Sequence, residues 1–140
     1  MIVIDQAHLR AIGQAAERAY PCECCGLLIG RRSALGWLRV SAIAPSANID
    51  PRPRDRFEVD PAVRLRLMRQ LRDSDEAIVG HYHSHPDAPA VPSAHDIAMA
   101  FEPELIWLIV SVARGRAGPP AAFRCEATGG YCDLPLSSCG

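Results

Sequence analysis

The chain has 140 residues and a formal net charge of −1, with 49% hydrophobic and 22% charged residues. That balance is globular rather than disordered and suits one domain, and the near-zero charge excludes a basic footprint for nucleic acid or an anionic membrane. No apolar run approaches the roughly 20 residues that span a bilayer, and the opening "MIVIDQAHLR" lacks the basic and long apolar regions of a secretory signal, so a cytoplasmic protein is expected.

In residues 5–20, Leu9, Ile12, Ala16 and Ala19 recur at helical spacing, Asp5 is placed to cap the start, and Pro21 ends the segment. The apolar run "CCGLLIG" (24–30) predicts a buried strand. "LGWLRVSAIA" (35–44) predicts its hairpin partner, with the turn around residues 31–33. Residues 45–61 are polar and proline-rich and read as a loop. Asp60 and Pro61 then open a helix to about residue 72. Val63, Leu67, Met68 and Leu71 form its apolar stripe, while Arg64, Arg66, Arg69 and Arg72 read as a solvated face. A strand over 76–83, a short helix over 93–101, and strands over 104–113 and 121–127 follow. Alternation of this kind predicts a layered α/β domain. Of the six cysteines, Cys22, Cys24 and Cys25 are crowded and Cys125, Cys132 and Cys139 are spread out. None forms a C-x-x-C pair, and reduced, tolerated thiols are expected.

Four of the five histidines fall within "GHYHSHPDAPAVPSAHD" (80–96). On a strand, His83 and His85 project to the same face, and Pro86 then turns the chain. Ser93 and Asp96, three apart on the next helix, also share a face, and the intervening loop can fold that helix back over the strand end. Two imidazoles and one carboxylate thus converge, the recipe for a catalytic zinc with its fourth position open. Ser93 and Asp96 also fit a helix capping box. Tyr82 should point to the opposite face, into the core. His81 lies on the ligand face but about 7 Å behind His83, too far to be a ligand. His95 should point to solvent, and His8 is isolated. A hydrolase also needs a general base. Glu23, between a helix end and a strand and flanked by cysteines, is the carboxylate best placed to be desolvated and to have a raised pKa.

"HSHPDAPAVPSAHD" (83–96) fits the motif H-[ST]-H-P-x6-S-x2-D, and the chain therefore resembles the JAMM (MPN-plus) metalloproteases of the short stand-alone bacterial type. "PCECCGLLIG" (21–30) resembles the upstream element of that family, a glutamate three residues before a glycine. The resemblance implies a single-domain α/β MPN fold, a mixed curved β-sheet flanked by helices with cytidine-deaminase-like layering. It would occupy residues 1–130, with 131–140 as a C-terminal tail. It further implies a zinc-dependent peptidase or isopeptidase whose substrate is a ubiquitin-like or sulfur-carrier protein with a C-terminal Gly-Gly. Residue by residue, His83, His85 and Asp96 would ligate Zn2+, Glu23 would activate water, and Ser93 would donate a hydrogen bond to the scissile carbonyl. His81 departs from the hydrophobic residue expected before Tyr82, which leaves it open to a role behind the ligands. Two rivals compete: an inert scaffold or binding module of the same fold, and a closed structural zinc site with a cysteine from 22–25. The H-x-E and P-C-x-x-C elements of zinc deaminases are missing. A homo-oligomer is compatible with the sequence.

Overall fold

Apolar runs of strand length, separated by turns and two longer helical segments, assemble around one mixed sheet. The computed structural model describes residues 1–126 and 128–139. In chain order the elements are β1 (Ile2–Asp5), α1 (Gln6–Ala19), β2 (Cys25–Arg32), β3 (Leu38–Ser46), α2 (Pro61–Gln70), β4 (Ala77–Pro86), α3 (Ala94–Ala98), β5 (Ile106–Ala113), β6 (Arg116–Cys125), β7 (Tyr131–Leu134) and β8 (Leu136–Cys139). The strand order is β7-β6-β5-β4-β2-β3-β1-β8. β4 pairs in parallel with β5, and β1 does so with β3 and β8; the remaining pairs are antiparallel.

The sheet has two covered faces. Ile12 and Ala16 of α1 pack with Ile4, Leu28, Val40, Tyr82, Leu108 and Val110 on one side. On the other, Leu67 of α2 covers Leu27 and Ile29, while Ile97 of α3 packs against Trp107, Ile109 and Phe123. The alternation along β4 decides which residues face which layer. His83 sits in register between Cys25 and Ile109, His81 between Leu27 and Trp107, and Tyr82 between Gly26 and Leu108. Gly26 is required there: a Cβ at that position would lie 2.3 Å from the Tyr82 ring.

The structure corrects several expectations. The β2–β3 turn spans 33–37, closed by the Ser33 amide donating to the Trp37 carbonyl (2.8 Å), because β2 runs two residues past Gly30. β1, β7 and β8 form from segments with no strand expectation, and residues 131–139, expected as a tail, are part of the same sheet. α3 is only five residues long. Met68 is 56% exposed rather than packed, and Arg64 is held by Glu102 rather than freely solvated. Residue 127, the expected end of β6, and the side chain of Cys139 lie outside the described residues. Cys22, Cys24, Cys25, Cys125 and Cys132 are free thiols. Among the described residues, no helix is long and apolar enough to cross a membrane.

Candidate active site

β4 carries His83 and His85 to the same face, Pro86 and a turn follow, and α3 returns Asp96 over them. The three side chains are buried and nearly in contact. His83 Nε2 lies 3.2 Å and His85 Nε2 3.0 Å from Asp96 Oδ2, and the two Nε2 atoms are 3.2 Å apart. Each orientation has a cause. His85 Nδ1 donates to the Pro89 carbonyl (2.9 Å), which leaves Nε2 as a lone pair aimed at the cluster. Phe57 stacks on the His83 ring at 4.2 Å and 17°. Asp96 Oδ2 accepts from the Ser93 amide (2.9 Å), while Ser93 Oγ accepts from the Asp96 amide (3.0 Å), so the capping box anticipated from the sequence also aims the carboxylate.

Three donor atoms 3.0–3.2 Å apart suit a tetrahedral ion, whose N and O ligands at about 2.0–2.1 Å stand roughly 3.3 Å from one another. Two imidazole nitrogens and a carboxylate oxygen that converge in a buried place are the N and O donors a zinc-type ion takes, so the residues fit a metal. Glu23, His83 and His85 also lie within 4.8 Å of one another. That trio could hold a metal ion as well, while Asp96 Oδ2 stands 3.2 and 3.0 Å from the two imidazoles.

Glu23 is 4% exposed, and its Oε1 is buried with no hydrogen-bond partner. Burial pushes its carboxyl up to about 8, the charges of Asp96, Asp55 and Asp50 add to this, and His85 opposes it. Burial would also raise Asp96, but hydrogen bonds from His83, His85 and the Ser93 amide outweigh it and hold Asp96 well below the usual carboxylate range. The two imidazoles diverge. Burial wins at His83 and lowers it, whereas at His85 burial is overcome by Asp96 and the Pro89 carbonyl, and its pKa is raised.

Several positioning residues carried no signal in the sequence reading. Ser84, fully buried, accepts from the Cys24 amide (2.8 Å) and so ties the ligand strand to the residue after Glu23. Asn48 Nδ2 donates to the Glu23 carbonyl (3.1 Å) and to Arg56, while its Oδ1 accepts from the Asp50 and Glu58 amides. Asp87, at φ 54°, accepts from the Tyr20 hydroxyl (2.7 Å) and the Arg114 amide (3.3 Å), and its own amide donates to Val112. A polar residue in a tight turn is the only sequence cue for Asp87. His95 is half-buried and lines a groove beside Asp96 instead of pointing to solvent, because α3 lies flat on the sheet. His81 is no member of the ligand cluster; its ring centroid stands 5.6 Å from that of His83. Cys25 Sγ faces the carbonyls of Ser46, Ala47 and Glu58 at 3.7–3.9 Å, and burial pushes its thiol up to about 12.

Residues 5–126 match the family model described as prokaryotic homologs of the JAB domain. The chain is 36% identical over 91 residues to a desampylase of Haloferax volcanii, covering 65% of this chain and 63% of that protein. It is 32% identical over 111 residues to the CysO-cysteine peptidase of Mycobacterium tuberculosis, covering 79% and 73%. The chain thus spans somewhat under two-thirds of the Haloferax relative's length. A solution structure of a protein from Desulfitobacterium hafniense superposes with a TM-score of 0.84 at 31% identity, covering 99% of this chain and 92% of that one.

Proposed function

The chain belongs to the family of prokaryotic homologs of the JAB domain, and from that membership we propose that it is a zinc-dependent hydrolase. Its proposed reaction is cleavage of an amide or isopeptide bond at the C-terminal Gly-Gly of a ubiquitin-like or sulfur-carrier protein. The observation that carries the reading is the convergence of His83, His85 and Asp96 with a buried, unpartnered Glu23 carboxylate beside them. The names of its relatives, desampylase and CysO-cysteine peptidase, support this substrate class. A cytoplasmic setting belongs to the same reading, since the free thiols of Cys22, Cys24 and Cys25 would persist there.

In this reading His83, His85 and Asp96 hold the metal. Bound there, zinc would lower the pKa of water toward about 7 and polarise a carbonyl. Glu23 accepts the proton of the attacking water and returns it to the leaving amine. Ser93 keeps its hydroxyl hydrogen free, because Oγ only accepts within the capping box, and it donates that hydrogen to the scissile carbonyl oxygen as negative charge develops. Asp96, fixed by the Ser93 amide, stays ionised throughout.

The test is to incubate the zinc-loaded protein with ubiquitin-like carriers bearing C-terminal extensions and to read products by mass spectrometry. Release of the extension at the Gly-Gly junction, abolished by chelation and restored by zinc, is expected. Absence of cleavage across amino-acid and lysine-linked extensions, with zinc bound, would overturn the reading.

A further inference from the structure

His81 is the histidine the reaction leaves unused, and it lies beside a groove of about 360 Å³. The groove borders the site at Asp96, is walled by Phe57, Leu27, Trp107 and Leu105, and ends at the Arg64–Glu102 ion pair. Apolar side chains make most of its wall, Asp50 and Glu58 also line it, and its one arginine is paired with Glu102. His81 stands on the same sheet face, in register between Leu27 and Trp107, with ring centroids 5.2 Å from Phe57 and 5.3 Å from Trp107. Its Nδ1 is sealed from solvent without a partner. A leucine or phenylalanine would fill this slot without stranding a nitrogen, so packing alone does not account for a histidine. A groove lined by Asp50, Glu58 and Asp96 favours a donor over an acceptor on the nitrogen that faces it. The proton therefore belongs on Nε2, the nitrogen left to face the groove.

We propose that His81 is a specificity-determining residue: its Nε2–H donates to a backbone carbonyl of an extended peptide tail lying in this groove. This rests on the proposed hydrolase function and adds how the tail is read. An extended peptide entering an apolar groove loses its water and needs a donor for each carbonyl it buries. His81 and His83 are two residues apart on one strand, about 7 Å, the distance an extended peptide covers in two residues. The carbonyl that His81 holds is thus two residues from the scissile bond, beside the walls of Phe57, Leu27 and Trp107. Recognition is of an extended segment through its backbone, and it does not use a free carboxylate.

The test compares wild type, His81→Leu and His81→Gln. It uses a carrier-tail substrate and an analogue in which the carbonyl two residues from the scissile bond is replaced by an alkene isostere. His81→Leu should raise KM roughly three- to tenfold at nearly unchanged kcat and zinc content, the size of one neutral hydrogen bond. His81→Gln, which keeps a donor, should recover part of that loss. The alkene analogue should cost wild type the same factor and cost His81→Leu nothing further, which a merely structural role cannot produce. His81→Leu should also melt no lower than wild type, since it removes a stranded polar atom. Calorimetric titration of the uncleaved tail peptide into metal-free protein should repeat the affinity pattern without turnover. Wild type that cleaves the carrier while His81→Leu matches it in KM and affinity overturns the inference, as does an alkene penalty that persists in His81→Leu. Wild type that cleaves no carrier overturns the proposed function instead.

Discussion

The two faces of β4 divide the labour of the molecule within a few residues. Tyr82 and Ser84 point into the layer beneath α1, where Tyr82 is 1% exposed among Ile12, Leu28 and Leu108 and the Ser84 hydroxyl has its partner in the Cys24 amide. His81, His83 and His85 point the other way. Among the described residues, every buried side-chain atom without a partner, Glu23 Oε1, His81 Nδ1 and His83 Nδ1, lies on or beside that second face. Unpaired polar burial is costly, so it is informative where it is tolerated. One face of the strand is built for stability, and its reverse spends part of that stability on holding reactive groups out of water.

The sharpest way to break this division is Glu23→Gln. Turnover should fall by roughly 10²–10⁴, the range for loss of a general base, with zinc retained as read by elemental analysis; loss of zinc would make Glu23 a ligand instead. The same variant sharpens the stability side. The Glu23 carboxyl is raised in the folded state from 4.5 to about 8, so the folded chain prefers it protonated. Metal-free wild type should therefore lose stability relative to Glu23→Gln as pH rises through the window from 4.5 to about 8, measured by denaturant titration across pH.

Asp96→Ala should come next. Losing a ligand should weaken zinc binding by more than the roughly 10–100-fold that losing an outer partner costs, and the melting temperature should stop responding to added zinc. A variant with full zinc content would show that the ligands are misassigned. On the opposite face, Tyr82→Ala should destabilise by about 3–5 kcal/mol in urea, a packing effect independent of metal. Ser84→Ala is the smallest change and the one that links the faces. It strands the Cys24 amide, costs about 1–3 kcal/mol, and lowers kcat by loosening the segment that carries Glu23. An effect on stability with kcat untouched would mean that the two faces are uncoupled.

What could be read beforehand follows from how local each signal is. α1, β2, β4 and β5 announce themselves by periodicity and apolar runs, and the ligands lie close together in the chain with Pro86 marking the turn between them. Glu23, a carboxylate among apolar neighbours sixty residues upstream of His83, is only a candidate on burial, and its role as base comes from the family resemblance of residues 21–30. Strands of four residues such as β1 and β8 owe their existence to partners at the other end of the chain, which no local pattern records. The roles of Asn48, Ser84 and the Tyr20–Asp87 bond are equally non-local. A polar residue advertises that it can bond, and only the fold says to what.

The pairing of β8 with β1 has a kinetic consequence. β1 lies between β3 and β8, so its outer row of amides and carbonyls stays open until residues 136–139 arrive. That contact joins opposite ends of the chain and belongs to the slow, high-separation class of folding events, whereas the β2–β3 hairpin at the heart of the sheet closes locally. The scaffold beneath the site can therefore assemble while the rim is unfinished. In that interval β1 is the exposed edge, and once β8 docks the sheet ends instead on a strand of only four residues, a shorter template for another chain.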